Sequence, residues 1–262
     1  LNTFWKASEP MRKSPLVLAI SFLVSSCLTT ACNNQTPPTT TASPVGEGGL
    51  KLGALLPITG DLSAIGQNMP KAANLAVETI NACGGVNGQP VTLIKEDDQT
   101  DPAAGSQAMT KLVEVDKVAG VVGSFASSVS SAAVDIAARN QVMLVSPGST
   151  SPVFTDRAKK GDFNGYWART APPDTYQAQA LAALAKKKGF KNVSTVVINN
   201  DYGVGFEKAF VSSLEKLGGK ITDKSNPVRY DPKAATLDSE AAAAFANKPL
   251  SLIHISEPTR PY

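Results

Sequence analysis

The chain has 262 residues, a formal net charge of +3 and 42% hydrophobic residues, an ordinary balance for a globular protein. So small a positive charge argues against a nucleic-acid partner, because proteins that bind nucleic acids concentrate Lys and Arg on a basic face. With a single histidine, His254, and only three cysteines, the sequence offers neither a serine–histidine or cysteine–histidine catalytic pair nor a spacing of metal ligands.

The N-terminal region has the pattern of an export signal. We expect translation to start at Met11, so that residues 1–10 lie upstream of the true start. A basic pair then precedes an apolar run over 16–28, which is shorter than the ~20 apolar residues of a membrane span. Residues 11–32 are therefore predicted to be a signal peptide, and the product is predicted to be exported.

Small residues directly before Cys32 resemble the lipobox of bacterial lipoproteins, in which the cysteine is lipid-modified and becomes the new N-terminus. Cys27 fits the same pattern. We favour Cys32 because the polar segment 33–49 starts immediately after it and is expected to be a disordered linker. The lipid would anchor the protein to a membrane on the periplasmic or cell-surface side. The alternative is a soluble secreted protein cleaved after Ala31.

Strand-like and helix-like segments alternate over residues 50–165. Strands are predicted at 50–56 and 90–96 and around 121 and 143, and helices at 69–82, after 101 and at 128–139. The helices are indicated by apolar residues at helical spacing and by start signals such as Asp101 before Pro102. This order predicts an α/β lobe with a parallel sheet and helices on both faces.

A second series of elements is predicted over residues 166–249. Its helices are expected at 174–188, 205–217 and 233–247, with strands at 192–198 and 220–223. The sequence therefore predicts an α/β protein of two lobes, of which the second is incomplete.

The sequence pattern changes at Leu250. Residues 250–262 resemble the translation of a transposon-type sequencing adapter, so we expect the natural sequence to stop near Pro249 and His254 to be no part of it. A genuine surface tail is the alternative.

Two predicted strand ends run into loops of small, hydroxyl-bearing residues, at 123–128 and 146–150. The helix between them places both loops on one edge of the sheet, where open parallel sheets bind ligands. Hydroxyls, backbone amides and the positive end of a helix dipole favour a carboxylate. Because these loops contain no His, Cys, Asp or Glu, they suit holding a molecule rather than transforming it. We expect no enzymatic activity and no cofactor.

An ordered series of motifs resembles the type I periplasmic binding proteins, in the branch represented by leucine/isoleucine/valine-binding proteins. The motifs are Pro57-Ile58-Thr59-Gly60 with Gly66, then 80–88, 96–102, 145–150, 163–173 and 201–203. The resemblance covers residues 50 to about 230. It implies two lobes that close on a hinge around an amino acid (branched-chain, neutral or related). It also implies delivery of that ligand to an ABC permease in the inner membrane.

Carried over by position, the resemblance assigns the two charged ends of the ligand to separate groups. The Ser127 hydroxyl would hold the α-carboxylate, helped by the backbone amide of Thr150. The carbonyls of Gly148 and Ser149 and the hydroxyl of Thr150 would accept hydrogen bonds from the α-ammonium. Asp174 would be a further partner of the ammonium.

Two other positions would form walls of the site. Tyr202 lies where a second-lobe aromatic ring closes over the ligand. Ile65 occupies a first-lobe position that is often Tyr, which makes that wall less polar. Purely structural alternatives remain, since Ser127 and Ser128 could simply cap the following helix and Tyr202 could be ordinary packing.

The sequence leaves two other functions open to comparison, a lipoprotein without a permease and an enzyme. A ligand-sensing or scaffold lipoprotein of the same fold would use the same cleft without a permease. An α/β enzyme of the dinucleotide-binding type would need a G-x-G-x-x-G turn after the first strand. The first turn here is Gly53-Ala54-Leu55-Leu56-Pro57, which disfavours that enzyme.

Overall fold

The computed structural model describes residues 49–256. The predicted signal peptide, both candidate lipidation cysteines (Cys27 and Cys32), all but the last residue of the predicted linker, and residues 257–262 lie outside the described residues. Those expectations stay predictions. Within the described range, no helix combines the length and apolar character that a membrane crossing requires.

The first sheet contains five parallel strands. They are β1 (Leu50–Leu56), β2 (Val91–Asp97), β3 (Gly120–Gly123), β4 (Met143–Ser146) and β5 (Trp167–Arg169). Their order across the sheet is β2-β1-β3-β4-β5. In the pairing of β1 with β2, Leu50 lies opposite Val91. Parallel strands are usually buried on both faces, and the last four residues of β1 are buried accordingly.

Five helices connect these strands. They are α1 (Ser63–Gly66), α2 (Met69–Ala82), α3 (Pro102–Thr110), which continues into a π-helical turn at Lys111–Val115, α4 (Ser127–Arg139) and α5 (Val153–Lys159). The Asp101 carboxylate accepts the Ala103 and Ala104 N–H groups at the start of α3, as the start signal predicts. The core packs around fully buried Leu55 and Leu144, with further apolar side chains from α3, α4 and α5.

The second sheet is built on one central strand. Its members are β6 (Asn192–Ile198), β7 (Lys220–Ile221), β8 (Val228–Tyr230) and β9 (Ser251–Ile255), and the other three each pair with β6 in parallel. Its helices are α6 (Asp174–Lys187), α7 (Asp201–Lys216) and α8 (Asp238–Phe245). Val193 to Ile198 are all buried, and Phe206, Phe210 and Leu214 of α7 pack into the same core.

The predicted α/β class, with parallel sheets flanked by helices, is confirmed. Five short elements, α1, α5, β5, β8 and β9, were not predicted, because three to seven residues show little periodicity. β5 joins the first sheet by pairing with β4, so this sheet extends to Arg169. The last helix spans Asp238–Phe245 instead of 233–247, because the Asp231 carboxylate accepts the Lys233 N–H and holds a turn there.

The described part of the predicted tail forms strand β9, which pairs with β6 from Val193 to Val197. Ile255 is buried against the core of the second sheet. The expectation that the natural sequence stops near Pro249 is a statement about the gene and stays a prediction.

Helices α3 and α4 approach each other closely at Gly105. A Cβ atom there would overlap Cγ1 of Val129, a fully buried side chain in the first turn of α4. The small residue on α3 therefore fixes how the start of α4 sits against the sheet.

We predict that Gly105→Ala destabilises the fold by about 1–3 kcal/mol through overpacking, although Ala favours a helix interior by about 1 kcal/mol over Gly. Val129→Ala opens a cavity and costs about 1–3 kcal/mol. The double variant should lose less unfolding free energy than the two single variants together, by at least ~1 kcal/mol, as measured by urea unfolding. Additive effects would show that this close contact is absent.

Candidate functional site

Serine side chains under the two predicted loops form a buried hydrogen-bonded cluster. The hydroxyls of Ser130 and Ser146 donate to the carbonyl oxygen of Ser124, the former at 3.1 Å. Oγ of Ser149 lies 2.8 Å from Oγ of Ser130 and 3.1 Å from the carbonyl oxygen of Phe125. These serine side chains are fully buried. The hydroxyls therefore bind one loop to the other rather than facing a cleft.

The same cluster fixes the backbone after β4 and reaches β2. Oγ of Ser146 accepts the backbone N–H of Ser149 at 2.9 Å. The hydroxyl of Ser124 donates to Asp98 at 2.8 Å, and the Thr100 N–H donates to the other carboxylate oxygen. Asp98 is fully buried, and this burial raises its pKa against the opposing effect of these two hydrogen bonds. The carboxyl ends of β2, β3 and β4 are thus tied together.

Ser127 is the first residue of α4 and meets the loop that follows β4. Its Oγ accepts the backbone N–H of Ser151 at 3.3 Å, so the hydroxyl proton is not used in that bond. The N-cap residue of α4 is Ala126, and no side chain caps the helix. The cap-only interpretation of Ser127 and Ser128 is therefore not what the structure shows. The N–H groups in the first turn of this 13-residue helix can therefore donate to a negatively charged group.

Thr150 and Asp174 form a second polar pair at this edge. The Thr150 hydroxyl donates to Oδ2 of Asp174 at 2.8 Å, and the Asp174 N–H donates to the Thr150 carbonyl at 2.9 Å. Asp174 is the first residue of α6 and is buried. Burial raises the pKa of its carboxyl group, and the Thr150 hydrogen bond and the positive charge of Arg169 oppose that rise.

Arg169, at the end of β5, was not predicted as a site residue. Nη1 donates to the carbonyl oxygens of Ser149 and Ser151 at 3.0 and 2.8 Å, and Nη2 donates to Thr155. A guanidinium on the Ser149 carbonyl makes that oxygen a poor acceptor for a second cation, which weakens the predicted ammonium role of Ser149. The signal available in the sequence was that Arg169 is the one charged residue of the motif at 163–173.

Tyr202 and Ile65 are the two predicted wall residues, and the structure places them on α7 and α1. Tyr202, the second residue of α7, packs near Phe206, with ring centroids 6.1 Å apart, and lines a hollow that also includes His254. Ile65 is half-buried on α1. The two cavities described next are not lined by either residue. The structure therefore brings Ser127, Gly148, Ser149, Thr150 and Asp174 to one edge, and the assignment of Tyr202 and Ile65 to the walls of the site stays a prediction.

A cavity of about 540 Å³ opens between the carboxyl ends of the two sheets. Ser128 and Asp101 line it from the first sheet, and Asn200 and Tyr230 from the second. A second cavity, of about 410 Å³, is lined by Ser151 and Thr175, the sequence neighbours of Thr150 and Asp174. Asp201 lines both. Among residues 49–256 there is no group of three or more His, Cys, Asp or Glu side chains able to hold a metal ion.

Comparison with known proteins places the sequence among binding proteins. Residues 68–248 match the receptor family ligand binding region. Leu/Ile/Val-binding protein homolog 3 of Brucella melitensis is 33% identical over 183 residues, which is 70% of this chain and 46% of that protein. BraC3, a Leu/Ile/Val-binding protein of Rhizobium johnstonii, is 34% identical over 186 residues, covering 70% and 48%. The chain spans about half the length of the curated relatives it matches.

Solved structures agree with the sequence relatives. The leucine-binding protein LivK of Thermotoga maritima has a TM-score of 0.66 at 26% identity, over 78% of this chain and 55% of that one. The substrate-binding protein LivJ of Streptococcus pneumoniae, a branched-chain amino acid transporter component solved with isoleucine, has a TM-score of 0.64 at 27% identity, over 79% and 56%. The resemblance inferred from the motifs is confirmed. The chain belongs to the family described as the receptor family ligand binding region, and within it to the type I periplasmic binding proteins of the Leu/Ile/Val-binding branch.

Proposed function

We propose that this chain is the extracytoplasmic substrate-binding component of an ABC importer and holds an amino acid, branched-chain, neutral or related, between its two lobes. The observation that carries this proposal is the convergence of Ser127, Thr150 and Asp174 at the carboxyl edge of the first sheet. The names of the relatives support it, since they are Leu/Ile/Val-binding proteins and one is solved with isoleucine.

The two ends of a zwitterion find complementary groups at this edge. The carboxylate would lie at the start of α4, where the Ser127 hydroxyl and the first-turn N–H groups donate and the helix dipole is positive. The ammonium would lie at Asp174 and Thr150, whose oxygens are acceptors. Arg169 already donates to the Ser149 carbonyl, so the ammonium is directed away from Ser149 and towards the Asp174 carboxylate.

Binding of this kind forms and breaks no covalent bond. The hydroxyls and amides that meet the ligand are held by the buried serine cluster, so little ordering entropy is lost when the ligand arrives. The ligand would bind the first lobe, and the second lobe would rotate over it. Only the closed form would then dock productively on a permease in the inner membrane.

We predict that Ser127→Ala and Thr150→Ala each weaken binding of L-isoleucine by about 10–100-fold, because each removes a hydrogen bond to a charged group. The double variant should lose measurable binding by isothermal titration calorimetry. Ser213→Ala is the matched control, because its hydroxyl donates only within its own helix, to the Ala209 carbonyl.

Unchanged affinity in the double variant, with wild-type melting behaviour, would remove Ser127 and Thr150 from the site. If neither the chain nor the full gene product shows a heat of binding with any amino acid or short amide in isothermal titration calorimetry, the proposed function itself fails.

We predict that affinity falls as pH is lowered. Burial raises the pKa of Asp174 above the ordinary 3.8, so this carboxylate takes up a proton at a pH where an exposed Asp stays charged. Protonation removes its attraction for the ammonium, so the midpoint of the loss should lie above 3.8. Asp174→Asn should bind weakly at pH 7 and show no such transition. A wild-type affinity that does not change over this range would contradict the role of Asp174.

Export and lipid attachment through Cys32 are part of the same proposal. We predict that Cys32→Ser abolishes incorporation of radiolabelled palmitate in a bacterial host and releases the protein from membranes, while Cys27→Ser leaves both unchanged. The reverse pattern would assign the anchor to Cys27. The absence of labelling in both the wild type and the variants would contradict anchoring.

A further inference from the structure

Helix α7 of the second sheet rests directly on the loop that carries Thr150. The point of contact is Gly205, the fifth residue of α7. A Cβ atom at this position would overlap Oγ of Ser151 and lie 3.2 Å from Cδ of Pro152. No larger side chain fits here while the helix and the loop keep their positions.

Ser151 cannot easily move away from the helix. Its backbone N–H donates to Oγ of Ser127 at 3.3 Å, and its carbonyl accepts from Nη1 of Arg169 at 2.8 Å. The residue is fully buried, and within residues 49–256 its hydroxyl has no hydrogen-bond partner. A buried hydroxyl without a partner disfavours the arrangement that buries it. The contact with α7 is therefore close and carries a polar penalty.

We propose that Gly205 and Ser151 form the seat on which α7 closes over the ligand, and that the size of the side chain at 205 sets how completely the cleft closes. This inference rests on the proposed function, since it assigns a role in enclosing the ligand that Ser127, Thr150 and Asp174 hold. Gly205 itself is a positioning residue, because it acts through Ser151 and touches none of the groups assigned to the ligand.

A methyl group at 205 pushes α7 away, since the loop is held at both its N–H and its carbonyl. Asp201, at the start of the same helix, lines both cavities, so its displacement widens both. A ligand in a cleft that closes less completely escapes faster. Its rate of entry changes little, because the ligand groups on the first sheet stay in place.

The test compares Gly205→Ala, Ser151→Gly and the double variant, with Lys208→Ala as a control from the same helix and the same cavity. We expect Gly205→Ala to weaken L-isoleucine binding at least tenfold through a faster dissociation rate in stopped flow. Its ligand-free melting temperature should stay at or above that of the wild type, because α7 can move off the loop, whereas Gly105 faces a core side chain, and because Ala is the better helix former. Adding Ser151→Gly to Gly205→Ala should restore the affinity to within about threefold of that of the Ser151→Gly single variant.

A melting temperature that falls with the affinity, and no rescue by Ser151→Gly, would overturn the proposal in favour of a purely structural glycine. Wild-type affinity in Gly205→Ala would also overturn it.

A ligand-independent measurement separates this proposal from the proposed function. In a chain with Cys27, Cys32 and Cys83 replaced by Ser, Ser151→Cys supplies a single thiol under α7. We expect a maleimide to label it slowly, and at least tenfold faster once Gly205→Ala is added. Equal rates overturn the seat, whatever the ligand data show. If the rates differ but no amino acid binds the wild type, the seat stands and the proposed function fails.

Discussion

Hydroxyl groups from Ser130 and Ser146 converge on the buried carbonyl oxygen of Ser124, and Oγ of Ser149 lies 3.3 Å from the same atom. A buried carbonyl without partners would be costly, so this contact holds the carboxyl end of β3, the start of α4 and the loop after β4 in one arrangement. Ser127 and Thr150, the residues proposed to meet the ligand, lie on the two segments that this cluster joins. The buried serines would therefore matter to the proposed site as much as the residues that meet the ligand.

Two charged side chains complete the edge and have different roles, the buried Asp174 and the half-buried Arg169. Burial lowers the pKa of Arg169 and raises that of Asp174, and each charge opposes the shift of the other. The guanidinium satisfies the loop carbonyls of Ser149 and Ser151 and thereby stiffens the loop. The carboxylate, bonded to the Thr150 hydroxyl, keeps acceptor capacity for a cation. A site that offers donors at one end and an acceptor at the other suits a zwitterion better than a simple anion.

The sequence was sufficient to predict the α/β class, the long elements and the sheet edge at which Ser127, Thr150 and Asp174 lie. Periodicity over many residues is a strong signal, and the ends of parallel strands meet by topology. The direction of each hydroxyl was not predictable, because it depends on which loop lies opposite. Ser149 was expected to face the ligand with its backbone, yet Arg169 from β5 reaches that carbonyl first. Tyr202 was assigned by position, and its ring lies near Phe206.

On the proposed function, the edge formed by Ser127, Thr150 and Asp174 holds a zwitterion by its two charged ends. A crystal structure of the chain grown with saturating L-isoleucine tests this most directly. We expect the carboxylate of the amino acid within hydrogen-bond distance of the Ser127 hydroxyl, and its ammonium within hydrogen-bond distance of Asp174. An amino acid bound in another cavity, or an empty edge at saturating ligand, would contradict the claim.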